Sequence, residues 1–185
     1  QSSLAKKTAF GSLSRPAIFL ATTKAIKLLS DFEQPMCFEP RAKPLTGLAV
    51  VVPKQGFDDV LRMSCELGID LLQPLYSDHS VLKNINEGRF IRWENIINES
   101  LEQSERLWRP EIKVCSNFKE WLTNVNATNA IALCTPRLSS SSLFESYLNS
   151  LANDPKCVWA LIGPEGGWSK SEVSLATKKG CTNVK

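Results

Sequence analysis

Short apolar runs alternate with segments of helical periodicity from Gly47 onward. Residues 48–52 are a continuous apolar run rich in valine, which is typical of a strand buried on both faces. Apolar side chains then recur three and four residues apart up to Gly68, where a helix is expected to end. Residues 69–75 form a second apolar run. Because parallel strands need a crossover, this segment is predicted to be a strand–helix–strand unit.

The same alternation continues to the end of the chain. A longer helix is predicted over residues 92–108, before Pro110. The remaining predicted elements are a strand at 130–134, a serine-capped helix within 139–152, a strand at 157–162, a helix at 169–180 capped by Ser169 or Ser171, and the start of a further strand at 181–185. Strands and helices in alternation predict an α/β domain with a mostly parallel sheet.

Residues 1–46 follow a different pattern. The region is small and polar at its start and rich in proline near its end. Residues 17–29 are predicted to form a strand followed by a short turn of helix. Since no complete core pattern is present, we interpret the region as part of a small domain with a proline-rich linker.

Composition excludes some classes of protein and leaves others open. Hydrophobic residues make up 43% and charged residues 22% of the 185 residues, as in ordinary globular proteins. No apolar run approaches the roughly 20 residues of a membrane-spanning helix, so no membrane association is expected. The net charge of +3 is compatible with an RNA partner without indicating one. The six cysteines form no C-x-x-C pair and stand far from the single histidine, so we expect buried or half-buried thiols in a reducing compartment and no metal site.

A glycine-rich loop, Gly-Pro-Glu-Gly-Gly at residues 163–167, follows a predicted buried strand and precedes a helix. In open α/β sheets, ligands bind beyond the carboxyl ends of such strands. A tight turn that requires positive φ is the alternative, although it would need fewer glycines. The loop matches neither the P-loop nor the dinucleotide motif. Because Pro164 removes an amide donor and Glu165 would repel an anion, a neutral or zwitterionic ligand is expected rather than a phosphate.

Polar side chains gather on one side of the predicted long helix. At about 100° per residue, Glu99, Glu102, Gln103 and Arg106 fall opposite its apolar stripe. Spacing alone favours a solvated face with ion pairs three and four residues apart.

Three segments of the chain resemble the RsmE family. "IGPEGGWSKSEV" is similar to its Gly-Pro-Glu-Gly-Gly-aromatic-Ser signature, and "ESLEQSERLWRPEI" resembles its E-A-x-E-Q-S-x-R-x-x-x-P-x-I helix, with Ser100 where alanine is usual. "PKQGFDDVLRMSCELGIDLLQPLYSDHS" is similar to a third segment of the family, which contains a K-x-x-aromatic motif followed by an E-L-G motif. The matches occur in the family's order and extend over about residues 47–185.

The resemblance implies a fold that periodicity alone does not predict. RsmE proteins are SPOUT methyltransferases, so we expect an α/β parallel sheet with a C-terminal trefoil knot, preceded by a PUA-like β-barrel that helps to hold RNA. Residues 1–46 would be a partial barrel domain and linker, and 47–185 the methyltransferase domain. The family's L-G-x-x-I-L-R-x-E-T-A segment would begin where the chain ends, so the natural protein is expected to be longer.

The resemblance also implies an activity. RsmE proteins transfer a methyl group from S-adenosylmethionine to N3 of a uridine in 16S ribosomal RNA of the small ribosomal subunit, act in the cytoplasm and form homodimers. They use no metal. The alternative is a non-catalytic RNA-binding protein that keeps the SPOUT fold. A nucleotide-phosphate binder has little support, since no phosphate motif is present.

Candidate site residues follow from this resemblance. The loop would wrap the cofactor with backbone groups, and the cofactor contacts would be Leu133, Thr135, Leu161, Ile162, Gly163, Pro164, Gly166 and Gly167. Uridine N3 must lose a proton, so Arg106 is predicted to stabilise the anion and Glu165 to accept the proton. Glu102 and Gln103 would orient Arg106 or the loop. A structural ion pair of Arg106 with Glu102 or Glu99 is the alternative.

Two other side chains carry expectations. His79 is predicted to be a surface loop residue near RNA rather than a general base. Trp168 beside the glycine-rich loop is predicted to contact a second subunit, and packing within its own subunit is the alternative.

Overall fold

The computed structural model describes residues 6–8, 11–14, 17–21, 26–30, 37–41, 43–135, 141–151 and 155–185. The N-terminal strands are β1 Lys6–Thr8, β2 Gly11–Ser14, β3 Ala17–Ala21, β4 Ile26–Ser30 and β5 Cys37–Pro40. The following elements are β6 Leu45–Val51, α1 Phe57–Glu66, β7 Leu71–Tyr76, α2 Glu87–Gln103, β8 Glu111–Ile112, β9 Ser116–Asn117, α3 Phe118–Asn124, β10 Ala130–Cys134, α4 Phe144–Asn149, β11 Cys157–Ile162, α5 Lys170–Lys178 and β12 Thr182–Val184.

The N-terminal strands pair with each other in antiparallel fashion. β2 lies between β1 and β5, and β3 pairs with β4 from Ala17↔Ser30 to Ala21↔Ile26. Residues 26–29, where part of a helical turn was predicted, instead form a strand whose backbone groups pair with those of β3, and residues 22–25 lie outside the described residues. A β-rich N-terminal region agrees with the expected barrel domain, whose closure stays a prediction.

A parallel sheet forms the centre of the protein, as the alternating pattern predicted. Its strand order is β12-β10-β11-β6-β7-β8. The short strand β9 also pairs with β7, at residues further along β7 than those that pair with β8. Every pairing in this sheet is parallel. β11 and β6 lie side by side although more than 100 residues separate them, with Ile162 opposite Val50. Because these strands are parallel, the carboxyl ends of β6, β7, β10 and β11 lie at a common edge of the sheet.

Helices cover both faces of the sheet, which explains why the strand sequences are continuously apolar. One face packs on α3 and α5 through buried residues that include Ala49, Leu75, Phe118, Leu133 and Leu161. The other packs on α1 and α2 through Val50, Leu61, Leu72, Trp93 and Ile97, among others. Each such large side chain contributes roughly 1.5–3 kcal/mol by leaving water.

The helix ends differ from the predicted ones where side chains set them. α2 starts earlier than predicted because the Asn86 side chain accepts a hydrogen bond from the Arg89 amide. It ends at Gln103, and Glu105 has a left-handed φ of 52°. Arg106 therefore lies beyond the helix, and the predicted helical face does not extend to it.

The two predicted serine caps have different outcomes. The cap position of α4 is Leu143, without a side-chain hydrogen bond, so the serine cap predicted there is wrong. Ser141 instead turns inward, where its hydroxyl bonds the Thr135 carbonyl at 3.1 Å. α5 begins with a capping box between Ser169 and Glu172, which confirms the first of the two predicted caps.

β12 lies between β10 and a residue of the segment that leads from β10 to α4. On one side it pairs with β10, with Val184 opposite Cys134. On the other side Ser142 bridges to Val184, and the Ser142 amide donates to the Asn183 carbonyl at 3.2 Å. The strand is thus flanked by β10 on one side and by Ser142, which precedes α4, on the other.

Candidate functional site

A cavity of about 660 Å³ lies at the carboxyl ends of β10 and β11, beside the start of α5. Parallel strands end at the same edge of a sheet, so the loops that follow them meet there. The cavity is lined by Cys134, Thr135, Ile162, Gly163, Pro164, Glu165, Gly166, Gly167, Trp168, Lys170, Val173 and Ser174. The glycine-rich loop (residues 163–167) therefore forms one wall.

Two glycines of this loop are required by its geometry. A Cβ added to Gly163 would lie 2.8 Å from Nε1 of Trp168, too close for any side chain. Gly167 has a φ of 75°, and its amide donates to the Pro164 carbonyl at 2.8 Å, which closes a turn. Hence Gly163 serves close approach and Gly167 serves positive φ.

Trp168 closes the cavity from the side of β10. Its indole Nε1–H donates to the Cys134 carbonyl at 3.3 Å, and its ring centroid lies 4.8 Å from that of Phe118. Trp168 thus packs within its own subunit, as the alternative interpretation had it.

Glu165 connects the glycine-rich loop to the loop after β6. Its Oε1 accepts a hydrogen bond from the Lys54 amide at 3.1 Å. Bonds from its own amide and from that of Lys54 hold the pKa of the Glu165 carboxyl below its usual range. The side chain is exposed and ionised at neutral pH, which makes it an available but weak base.

A polar network fixes the loop after β7 to the start of α5. Asp78 pairs with the Lys119 ammonium at 2.9 Å and accepts hydrogen bonds from the hydroxyls of Ser169 at 2.8 Å and Ser171 at 3.2 Å. The Lys119 bond, followed by the Ser169 bond, holds the pKa of Asp78 below its usual range, and Asp78 raises the pKa of Lys119.

The buried carboxylate of Glu172 strengthens the same connection. Glu172 is only 1% exposed. One oxygen accepts from the Asp78 amide at 2.9 Å and the other from the Ser169 amide at 2.8 Å. A buried charge is tolerated when backbone donors satisfy it in this way.

His79, the next residue in that loop, contacts the glycine-rich loop directly. Its Nδ1 lies 2.9 Å from the Gly167 carbonyl oxygen. A Cβ built on Gly166 would lie 3.5 Å from the His79 Cβ, so His79 occupies the space beside this glycine. The side chain is exposed, as predicted, and contact with RNA stays a prediction.

Most of the predicted cofactor residues line the cavity. The exceptions are Leu133 and Leu161, which are 1% and 0% exposed and belong to the core beneath it. The cavity is also lined by residues that were not predicted to contact the cofactor, namely Cys134, Trp168, Lys170, Val173 and Ser174. Three of these, at positions 170, 173 and 174, have the spacing of one helix face, a signal that was available in the sequence. Burial raises the pKa of Cys134, whose thiol is therefore neutral.

Arg106 lies away from this cavity. Its Nε and Nη2 donate to the Glu66 carbonyl at 3.2 and 3.0 Å, and its guanidinium lies against Gly68. Gly68 precedes the amino end of β7, whereas Glu165 follows the carboxyl end of β11. The six residues of β7 span about 20 Å, so the two predicted catalytic residues are at opposite edges of the sheet in one subunit.

Another cavity of about 750 Å³ lies beside α4. Its lining residues are apolar or carry hydroxyl and amide groups, and none is charged. Within the described ranges, no three histidine, cysteine or acidic side chains are placed to hold a metal ion. No helix in the same ranges is long and apolar enough to cross a membrane. Five cysteines are free and buried or half-buried, as expected, and the side chain of Cys37 is outside the described part.

Comparison with known proteins finds relatives that modify ribosomal RNA. Ribosomal RNA small subunit methyltransferase E of Synechocystis sp. is 38% identical over 139 residues, which cover 74% of this chain and 45% of that protein. The enzyme of the same name from Buchnera aphidicola subsp. Schizaphis graminum is 32% identical over 165 residues, or 86% of this chain and 61% of its own length. The chain therefore spans about half of the curated relatives that it matches.

Solved structures share the fold. Ribosomal RNA small subunit methyltransferase E from Neisseria gonorrhoeae, bound to S-adenosyl methionine, superposes with a TM-score of 0.73 at 21% identity, covering 95% of this chain and 70% of that one. A protein from Legionella pneumophila, solved in complex with the bound cofactor SAM, gives a TM-score of 0.69 at 24% identity, over 94% of this chain and 68% of that one. A family model described as RNA methyltransferase domain matches residues 40–185. The chain thus belongs to the RNA methyltransferase domain family, and the resemblance to RsmE proteins is confirmed.

Proposed function

We propose that this protein transfers a methyl group from S-adenosylmethionine to N3 of a uridine in 16S ribosomal RNA of the small ribosomal subunit. The observation that carries the proposal is the cavity at the carboxyl edge of the sheet, walled by the glycine-rich loop. The names of the relatives point to the same substrate. Since the chain covers only part of those relatives, the whole activity is inferred for the natural protein.

The cavity fits the proposed cofactor. A volume of about 660 Å³ is within the range of small-molecule sites. Ile162 is 37% exposed at the end of a buried strand and offers an apolar surface for the adenine ring. Thr135 and the backbone of residues 163–167 supply polar groups, and Glu165 adds a negative charge beside a ligand with a positive sulfonium. When bound, S-adenosylmethionine supplies an electrophilic methyl group.

The protein must then remove the proton from N3 or stabilise the uridine anion that forms when this proton leaves. N3 becomes a good nucleophile only after it loses its proton. Glu165 is the candidate acceptor in the cavity wall, and its lowered pKa keeps the carboxylate ionised and able to accept a proton. Alignment of N3 with the methyl group supplies a further part of the rate.

A catalytic role for Arg106 requires a second subunit. Within one chain Arg106 and Glu165 lie at opposite edges of the sheet. We therefore propose a homodimer in which Arg106 of one subunit approaches the cavity of the other and stabilises the uridine anion. The role of Arg106 depends on this dimer, because no movement of a side chain spans the sheet.

The remaining assignments extend the proposal to the whole chain. The N-terminal strands and the family match from residue 40 support a partial PUA-like domain at 1–46 and a methyltransferase domain at 47–185. The position of β12 between Cys134 and Ser142 supports a C-terminal knot. A small-subunit substrate places the enzyme in the cytoplasm.

Two measurements separate the enzyme from a non-catalytic RNA-binding protein of the same fold. Calorimetry of the full-length protein with S-adenosylmethionine should give micromolar binding. Incubation of the protein and cofactor with small ribosomal subunits should then add a methyl group at one uridine. N3 lies on the base-pairing edge, so primer extension should stop there. Binding without methylation would favour the RNA-binding alternative, and absence of binding would refute the enzyme.

A further inference from the structure

On the basis of the proposed methyltransferase function, we propose that His79 is a positioning residue for the cofactor cavity. Its Nδ1–H holds the Gly167 peptide, and through it Trp168 and the glycine-rich loop, in the conformation that binds S-adenosylmethionine. The role belongs to Nδ1, and the other ring nitrogen takes no part in it.

The contact fixes which nitrogen carries the proton. The Gly167 carbonyl oxygen can only accept a hydrogen bond, so the His79 Nδ1 at 2.9 Å must donate. Neutral His79 is therefore the Nδ1–H tautomer, with an unprotonated Nε2. His79 is also the neighbour that a side chain at Gly166 would meet, since a Cβ built there would lie 3.5 Å from the His79 Cβ. His79 thus bonds Gly167 and lies beside Gly166.

His79 is exposed, but the backbone on either side of it is anchored. The Asp78 amide donates to buried Glu172 at 2.9 Å. On the other side Ser80, 7% exposed, accepts the Ser77 amide on its hydroxyl at 2.7 Å. The imidazole is therefore presented from a rigid position, which is what a positioning group needs.

The contact acts where the loop is least constrained by its own sequence. Gly166 and Gly167 are consecutive glycines, which lose more conformational freedom on ordering than any other residues. Gly167 holds a φ of 75°, and the direction of its carbonyl sets the start of Trp168. Trp168 lies over Gly163 and donates to the Cys134 carbonyl across the cavity. One imidazole thus restrains the segment that shapes the cavity.

His79→Leu and His79→Asn separate this role from general-base catalysis. The Asn amide nitrogen occupies about the position of Nδ1 and donates to the same carbonyl, but Asn has no counterpart of Nε2. We expect His79→Leu to weaken S-adenosylmethionine binding about tenfold, as for loss of one hydrogen bond. His79→Asn should bind within about twofold of the wild type.

Val81→Ala is the matched control, because Val81 lies in the same loop and is 60% exposed. It should bind as the wild type does. Kinetics add a second readout: His79→Leu should raise KM for the cofactor with kcat little changed at saturation. A wild-type affinity in His79→Leu, or equal losses in the Leu and Asn variants, would overturn the proposal, and a large fall in kcat in both would assign Nε2 as a base.

NMR and hydrogen exchange test the positioning without any cofactor. His79 is the single histidine of the sequence, so the nitrogen spectrum of histidine-labelled protein contains an imidazole signal that the variants remove. We expect the Nδ1–H tautomer, and we expect His79→Leu but not His79→Asn to speed amide exchange at residues 166–168. A neutral Nε2–H tautomer, or unchanged exchange in His79→Leu, would refute the role of His79 even if the protein binds no S-adenosylmethionine.

Discussion

The indole of Trp168 occupies the space where a side chain of Gly163 would lie, because a Cβ there would be 2.8 Å from Nε1. The indole also donates to the Cys134 carbonyl, so it cannot move away without breaking that bond. Trp168 can therefore pack in the cavity wall only because residue 163, at the end of β11, has no side chain.

Gly163→Ala should accordingly damage both stability and cofactor binding. Overpacking of this kind costs about 1–3 kcal/mol, which urea unfolding would measure. Calorimetry should show weaker binding of S-adenosylmethionine, since displacement of Trp168 distorts the cavity. Gly88→Ala, in the first turn of α2, is the control, because a Cβ there meets nothing closer than 3.9 Å. Equal stability of Gly163→Ala and Gly88→Ala would contradict the packing described here.

Glu165→Gln separates the anchoring role of this residue from its chemical role. The amide oxygen of Gln still accepts from the Lys54 amide, so cofactor affinity should change little. It cannot accept the uridine proton, and kcat should fall about 100-fold at saturating cofactor. The measurement is methyl transfer to small ribosomal subunits. Near-normal turnover in Glu165→Gln, together with weak binding in Glu165→Ala, would show that the side chain only anchors the loop.

Mixed dimers test whether Arg106 acts across a subunit interface. Arg106→Ala and Glu165→Gln should each be nearly inactive. If the dimer has the proposed arrangement, refolding or coexpressing the two variants together should restore about a quarter of the wild-type sites, because half of the dimers are mixed and each mixed dimer has one intact site. Light scattering would report the dimer. A mixture no more active than its components would place Arg106 and Glu165 in separate roles.

The Asp78 carboxylate should contribute to stability at neutral pH and not in acid. Its pKa is lowered in the folded state, chiefly by Lys119, so its contribution is full above the pKa of an unfolded Asp, about 4, and is lost as pH falls through the lower folded value. Asp78→Asn should therefore lower Tm at pH 7, and the difference from the wild type should shrink below about pH 4.

Asp59→Asn is the comparison for that experiment, since Asp59 is 73% exposed and pairs with Arg62 on the surface of α1. Surface pairs of this kind contribute little, so its Tm should stay near that of the wild type at both pH values. A Tm difference for Asp78→Asn that is independent of pH would mean that the lost hydroxyl contacts, rather than the charge, explain the effect.

Local patterns in the sequence were sufficient for much of the fold. The strands at 130–134 and 157–162 were predicted with the bounds that the structure has, because buried parallel strands leave continuous apolar runs. The cap of α5 was narrowed to Ser169 or Ser171, because a capping box is complete within four residues, and the structure selects Ser169. The glycine-rich loop was predicted to bind a ligand from local features of the same kind, its glycine content and the preceding strand, and in the structure it lines a cavity.

Only the tertiary structure decided how distant segments meet. His79 and Gly167 are 88 residues apart, and Asp78 and Glu172 are 94 apart, so no periodicity connects them. Their contacts depend on the strand order, in which β6 lies between β11 and β7. This order buries both faces of the sheet at once. The same order carries Arg106 to the amino edge of β7, away from Glu165. Composition and spacing determine which segments become strands. The parallel pairing of those strands, in a sheet buried on both faces, determines which strand ends share an edge, and the candidate site lies at that edge.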